Sequence, residues 1–146
     1  MNEQRPTILF LCTGNSCRSQ MAEGWARHLH EGRLQVYSAG TETHGLNPRA
    51  VAVMAEAGVD ISDHQSQTIA DLEEEVQFDL VVTVCGRADE HCPHFPYPVQ
   101  TVHRGFDDPP RLAQDAATEQ EALAHYRRVR DEIRDFVQDD LLGLLP

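Results

Sequence analysis

A thiol and a guanidinium stand near the N-terminus with five residues between them: Cys12, then Thr13-Gly14-Asn15-Ser16-Cys17, then Arg18 and Ser19. A loop of this kind can turn its backbone N–H groups toward a common centre while a following helix N-terminus and the arginine add positive charge. The result is a cradle for a tetrahedral oxyanion. The same surroundings favour thiolate over thiol, which makes Cys12 a candidate nucleophile. Ser19 can donate a hydrogen bond to its sulfur, and Gly14 and Asn15 are residue types that tolerate the positive φ of a tight anion nest. Thr13, Gly14, Asn15, Ser16, Cys17, Arg18 and Ser19 are therefore the candidate oxyanion-binding residues. The bland alternative for Cys12 is a buried structural cysteine at a strand end. For the Cys17 side chain, small-residue packing directed away from the anion is expected.

Elements on either side must hold that loop. Thr7 to Leu11 is an apolar run that predicts a first strand buried on both faces of a parallel sheet. The helix that opens at Gln20 carries Met21, Ala22, Trp25 and Leu29 on one face. Leu34 to Ala39 predicts a second strand ended by Gly40. Asn47-Pro48 reads as an N-cap with proline at the first helical position, ahead of the stripe Val51, Met54 and Ala55 that Gly58 stops. Residues 59–67 read as loop, and Thr68 to about Val76 as a short acidic helix. Phe78 to Val84 is the strongest strand signal and delivers Cys85. After a polar segment, residues 86–94, a weak fourth strand over Val99 to Val102 leads into Arg104-Gly105-Phe106-Asp107-Asp108-Pro109-Pro110. Glu119 to about Leu142 reads as a long amphipathic helix.

This alternation predicts an α/β fold with a four-stranded parallel sheet flanked by helices. With strand order 2-1-3-4 the first and third strands are neighbours. Cys12 and Cys85 then open on one crevice beyond the strand C-termini, and Asp108 overhangs it.

Composition narrows the partners. The 146 residues make one domain, and a net charge of −12 with no lysine argues against a nucleic-acid surface. No apolar stretch is long enough to span a membrane, and the N-terminus Met-Asn-Glu-Gln-Arg-Pro lacks the apolar core of a signal peptide, so a cytoplasmic protein is expected. Four cysteines in a reducing compartment point to catalysis or metal binding rather than structural bridges. Their spacings, Cys12-x4-Cys17 and Cys85-x6-Cys92, are not those of a zinc ribbon. His44, His64, His91, His94 and His103 share no partner spacing and read as surface or structural residues.

The run from Cys12 to Trp25, with Tyr37-Ser-Ala-Gly40, Thr43-His-Gly45, Asn47-Pro48, Val81-Val-Thr-Val-Cys85, Cys92-Pro93 and Gly105-Phe-Asp-Asp-Pro109, resembles the thioredoxin-coupled arsenate reductases of the low-molecular-weight protein tyrosine phosphatase superfamily. The resemblance covers nearly the whole chain. It implies arsenate as substrate, with phosphate or sulfate as competing oxyanions, Cys12 as nucleophile, Cys85 and Cys92 as second and third thiols, Arg18 as anion ligand and Asp108 as general acid. It implies a transient Cys12–Cys85 disulfide followed by a Cys85–Cys92 disulfide, thioredoxin as electron donor, no bound cofactor, and a monomer. Asn15, Glu23 and Ser38 resemble ligands of a potassium ion in some relatives. The family's further carboxylate falls near Gln67, a departure that speaks against strong potassium binding.

The chemistry supplies its own reasons for these parts. Thiolate attack on arsenate expels an oxygen more readily when a carboxylic acid protonates it, and Asp108, with Asp107 as competitor, is placed to do so. A second thiol attacking the Cys12 sulfur then transfers two electrons to arsenic. A phosphatase needs only the first cysteine and water. The second cysteine pair and the absence of an aromatic residue after Asp108-Pro109 argue against that rival, while a non-enzymatic oxyanion sensor would bind sulfate without turnover.

Overall fold

The computed structural model describes residues 5–72, 76–85, 95–96 and 98–146. Strands β1 (Thr7–Leu11), β2 (Gln35–Ala39), β3 (Leu80–Thr83) and β4 (Thr101–His103) form one parallel sheet in the order β2-β1-β3-β4, as expected from connectivity. The register aligns the strand ends: Leu11 pairs with Ala39 and with Thr83, and Thr83 pairs with His103. Cys12, Gly40, Cys85 and Arg104 therefore emerge along one edge of the sheet.

The two faces of β1 explain its unbroken apolar sequence, because side chains alternate across a pleated strand. Ile8 and Phe10 join Val36, Leu80 and Val82 on a face covered by helices α1 (Arg18–Leu29), α2 (Pro48–Glu56) and α4 (Glu119–Asp139). Leu9 and Leu11 join Ala39 and Val81 on the other face, against Ile69, Leu72 and Val99. There Phe78 stands edge-on to both Tyr37 and Phe95, with ring centroids 5.6 and 5.5 Å apart.

The predicted stripe of α4 is buried at Tyr126, Val129, Ile133 and Val137, and Leu141 is buried just beyond the helix end. Leu123 is only partly buried. Thr118 caps this helix by accepting from Glu121 N at 3.1 Å. In α1 burial is wider than one stripe, running from Arg18 through Ala26, because the first turns lie between the sheet, α4 and the chain around Ile61. Gly24 allows that approach, since a β-carbon there would stand 2.6 Å from Ile61 Cγ2.

Several boundaries differ from the sequence-based expectations. Of the acidic helix expected from Thr68 to about Val76, residues 73–75 lie outside the described residues, and the described start is a 3-10 turn, Ile69–Asp71, whose capping box ties Asp71 Oδ2 back to Thr68 N at 2.9 Å. Leu72 then turns extended, so its side chain reaches the sheet face instead of continuing a helix. The fourth strand pairs over Thr101–His103 rather than Val99 to Val102, because Val81 N bonds to Gln100 O and sets the register there. A short helix α3 (Pro109–Ala113), to which the sequence reading assigns no element, starts at the two prolines, whose restricted φ suits a first helical turn. Helix α1 starts at Arg18, two residues before the expected point.

Gly40, just beyond β2, is needed for space: a β-carbon would meet Thr13 O at 2.5 Å, Cys12 O at 2.8 Å and Asn15 N at 2.9 Å. All three are backbone atoms that cannot swing aside. Gly40→Ala is expected to lower stability by about 1–3 kcal/mol and to weaken phosphate binding, measured by urea unfolding with and without phosphate.

Candidate active site

The loop from Cys12 to Arg18 is shaped from outside. Thr13 O accepts from Thr41 N at 3.0 Å and Glu42 N at 3.2 Å, and Gly14 O accepts from His44 N and Ser66 Oγ, both at 3.0 Å. Asn15 O accepts from Gln20 Nε2 at 3.2 Å, and Ser16 O from Asn47 N at 3.1 Å. A trans peptide plane directs its C=O and N–H oppositely. Four carbonyls bonded outward thus turn the N–H groups of Gly14, Asn15, Ser16 and Cys17 inward, toward the mouth bounded by Arg18. Asn15 bears the positive φ of the turn, 46°, which its short polar side chain tolerates. Gly14 serves another purpose: a β-carbon there would run into the His44 ring.

Cys12 is buried, and its Sγ lies 3.2 Å from Ser19 Oγ. Arg18 donates through Nη1 to Phe106 O at 2.9 Å, and its Nη2 lies 3.7 Å from Asp108 Oδ1. Asp107 is engaged elsewhere, with Oδ2 3.0 Å from Arg128 Nη2 on α4. Of the two adjacent acids, the one facing Arg18 is Asp108. Cys85 follows Val84, whose N–H donates to Leu11 O at 2.9 Å, so Cys85 emerges one strand away from Cys12 at the same sheet edge. Cys92, His91 and His94 lie outside the described residues.

Cys17 is buried in the apolar cluster of the helical face, in line with its expected packing role. Burial chiefly, with help from nearby Cys12 and Asp108 and against the pull of Arg18, pushes its thiol well above the usual range. Its loop contribution is its amide. His64 is a support, with Nδ1 3.0 Å from Gln20 Oε1, and His103 Nδ1 lies 2.7 Å from Thr83 Oγ1. Sequence reasoning took Asn47 as a helix cap only. It also holds Ser16 O and donates to Tyr126 Oη at 3.1 Å, which joins α2 and α4 to the loop. The supporting contacts of Gln20, Gln67 and the Phe106 carbonyl are not marked in the sequence, because nothing local identifies a residue whose partner is distant in the chain.

Asn15, Glu23 and Ser38, the expected weak potassium ligands, meet behind the loop in a hydrogen-bonded network. Glu23 Oε1 accepts from Ser38 Oγ at 2.6 Å and Oε2 from Arg27 Nε at 2.8 Å. Asn15 Oδ1 accepts from Gln67 N at 2.8 Å and from Gln20 Nε2 at 3.1 Å, while Gln67 Nε2 donates to Ser38 O at 2.9 Å. These oxygens already face donors, and Arg27 supplies the positive charge beside Glu23.

The contrast between two neighbouring thiols is testable. Iodoacetamide at pH 7 is expected to modify Cys12 and leave Cys17 untouched, with phosphate suppressing the reaction, as read by peptide mass spectrometry.

Comparison with known proteins agrees with this geometry. An arsenate reductase of Bacillus licheniformis is 52% identical over 134 residues, covering 92% of this chain and 94% of its own length. A solved arsenate reductase in the phosphate-binding state superposes with a TM-score of 0.76 at 30% identity, covering 95% of this chain and 98% of that one. A thioredoxin-dependent arsenate reductase from Corynebacterium glutamicum superposes with a TM-score of 0.60 at 25% identity, covering 94% of this chain and 64% of that one. Residues 7–141 match the family described as low molecular weight phosphotyrosine protein phosphatase, and the chain, with its inward-turned loop at the end of β1, belongs to that family.

Proposed function

We propose that this protein is an arsenate reductase that uses thioredoxin as its electron donor. The observation that carries the reading is a second thiol, Cys85, at the end of the strand paired with the one that delivers Cys12. Arsenate enters the ring of amides and Arg18. The Cys12 thiolate attacks arsenic, an S–As bond forms, and an oxygen leaves as water with a proton from Asp108. The Cys85 thiolate then attacks the Cys12 sulfur. An S–S bond forms, the S–As bond breaks, and its electron pair stays on arsenic, which departs as arsenite. Cys92 attacks Cys85 and displaces Cys12 as thiolate, and a dithiol of thioredoxin reduces the Cys85–Cys92 bridge. The thioredoxin-dependent relative supports the choice of donor. The approach of Asp108 to Arg18, with Asp107 drawn to Arg128, supports the choice of acid.

The function is tested by following NADPH oxidation with arsenate, thioredoxin and thioredoxin reductase, beside hydrolysis of a phosphate monoester. Arsenate-dependent oxidation far above ester hydrolysis is expected, and ester hydrolysis without arsenate turnover would overturn the reading. Asp108→Asn should slow adduct formation about 10²–10⁴-fold while arsenate still protects Cys12, whereas Asp107→Asn should have little effect. Cys92→Ser should complete one turnover and stall, with a Cys12–Cys85 disulfide visible in the peptide mass spectrum.

A further inference from the structure

Behind the nucleophile runs a chain of polar side chains that the proposed reaction leaves unassigned. Gln20, in the first turn of α1, is fully buried. Its Nε2 lies 3.2 Å from Asn15 O, 3.1 Å from Asn15 Oδ1 and 3.1 Å from Gln65 O, and its Oε1 lies 3.0 Å from His64 Nδ1. Those partners decide which way the amide points. Reversed, it would set an oxygen against three acceptor oxygens; as placed, it donates to them, and His64 Nδ1 carries the hydrogen that Oε1 accepts.

The orientation passes along the chain. Asn15 Oδ1 accepts from both Gln20 Nε2 and Gln67 N, which leaves Asn15 Nδ2 to donate to Ser19 Oγ at 2.9 Å. Having accepted there, the Ser19 hydroxyl turns its single hydrogen to Cys12 Sγ, 3.2 Å away. From His64 to the sulfur every donor points the same way, an arrangement that favours negative charge at its end and in which each bond polarises the next.

We propose that Gln20 is a positioning residue for the nucleophile: together with Gln67 N it holds the Asn15 amide in the orientation that leaves the Ser19 hydroxyl donating to Cys12. Without Gln20, Asn15 Oδ1 keeps only the Gln67 N donor, and each turn of its oxygen toward Ser19 draws the serine hydrogen away from the sulfur. The proposal rests on Cys12 as the nucleophile but requires neither arsenate nor thioredoxin, so alkylation tests it independently of the catalytic cycle.

The experiment measures the rate of Cys12 carboxamidomethylation from pH 5 to 9 in phosphate- and sulfate-free buffer, by peptide mass spectrometry, for the wild type, Gln20→Leu, His64→Leu, Ser19→Ala and the double variant Gln20→Leu/Ser19→Ala. The other groups near the thiol, namely Arg18, Cys17, Asp108 and Cys85, are the same in all. Gln20→Leu is expected to move the pH profile upward and slow the reaction at pH 6 about tenfold. His64→Leu should slow it roughly threefold by loosening Gln20. In the Ser19→Ala background the Gln20 substitution should cause no further slowing. A merely structural role predicts lower urea stability with an unmoved pH profile, and that result overturns the proposal. Equal slowing by Gln20→Leu with and without Ser19 overturns it too. If Gln20→Leu does not fold, His64→Leu decides, and a wild-type profile in that variant overturns the proposal.

Discussion

Four peptide planes turned the same way are the constraint on which the site depends. Amides that converge on a point repel one another until an anion arrives, so the loop keeps that shape only if its carbonyls are held from behind. The holders come from three places: residues 41–44 after β2, Asn47 at the head of α2, and the side chains of Ser66 and Gln20. Hydrogen bonds of this kind contribute about 1 kcal/mol each, and together they fix an arrangement that isolated loop residues would not adopt. Gly40 is part of the same constraint, because the loop backbone passes where its side chain would be.

The sheet adds the second requirement, neighbouring exits for the two cysteines: Leu11 pairs with Thr83, so Cys85 leaves β3 one residue beyond the position opposite Cys12. Parallel pairing of β1 with β3 places the two chain exits side by side, about one inter-strand spacing of ~4.8 Å apart in the hydrogen-bonding direction. A disulfide needs α-carbons within about 7 Å, a distance that neighbouring parallel strands supply and more distant ones do not. The proposed electron transfer thus draws its geometry from strand order. The proposed oxyanion binding and the proposed thiol exchange meet at one edge because β1 ends at Cys12 and β3 leads to Cys85.

Arg18 links the anion loop to the acid-bearing segment after β4. Its guanidinium bonds the Phe106 carbonyl and faces Asp108, and the Phe106 ring packs edge-on to Phe136 at 6.0 Å, with the Arg104 guanidinium carbon over both rings, 4.5 and 5.8 Å from their centroids. Helix α4 therefore braces the acid segment twice, through Phe136 below and through Arg128 on Asp107. This division of two adjacent carboxylates gives one to the surface and one to the site. It is a tertiary arrangement, since nothing in the dipeptide distinguishes them.

By itself the sequence determined the parts whose information is local or periodic. The apolar runs at Thr7 to Leu11 and around Val81, the helical stripes of α1 and α4, and Asn47-Pro48 each carried their structure within a few residues, and alternating strands and helices restricted the sheet order. Cys12, Arg18 and Ser19 were legible for the same reason: they belong to one loop. The tertiary structure alone decided what depends on distant partners. Only the fold shows Asp108 at Arg18 and Asp107 at Arg128, the 3-10 turn at Ile69–Asp71 after which Leu72 packs on the sheet, and the donors that meet the oxygens of Glu23 and Asn15. The orientation of Gln20 belongs with these, because three of its partners are carbonyl-type oxygens and the fourth is His64, brought to it by the fold from 44 residues away.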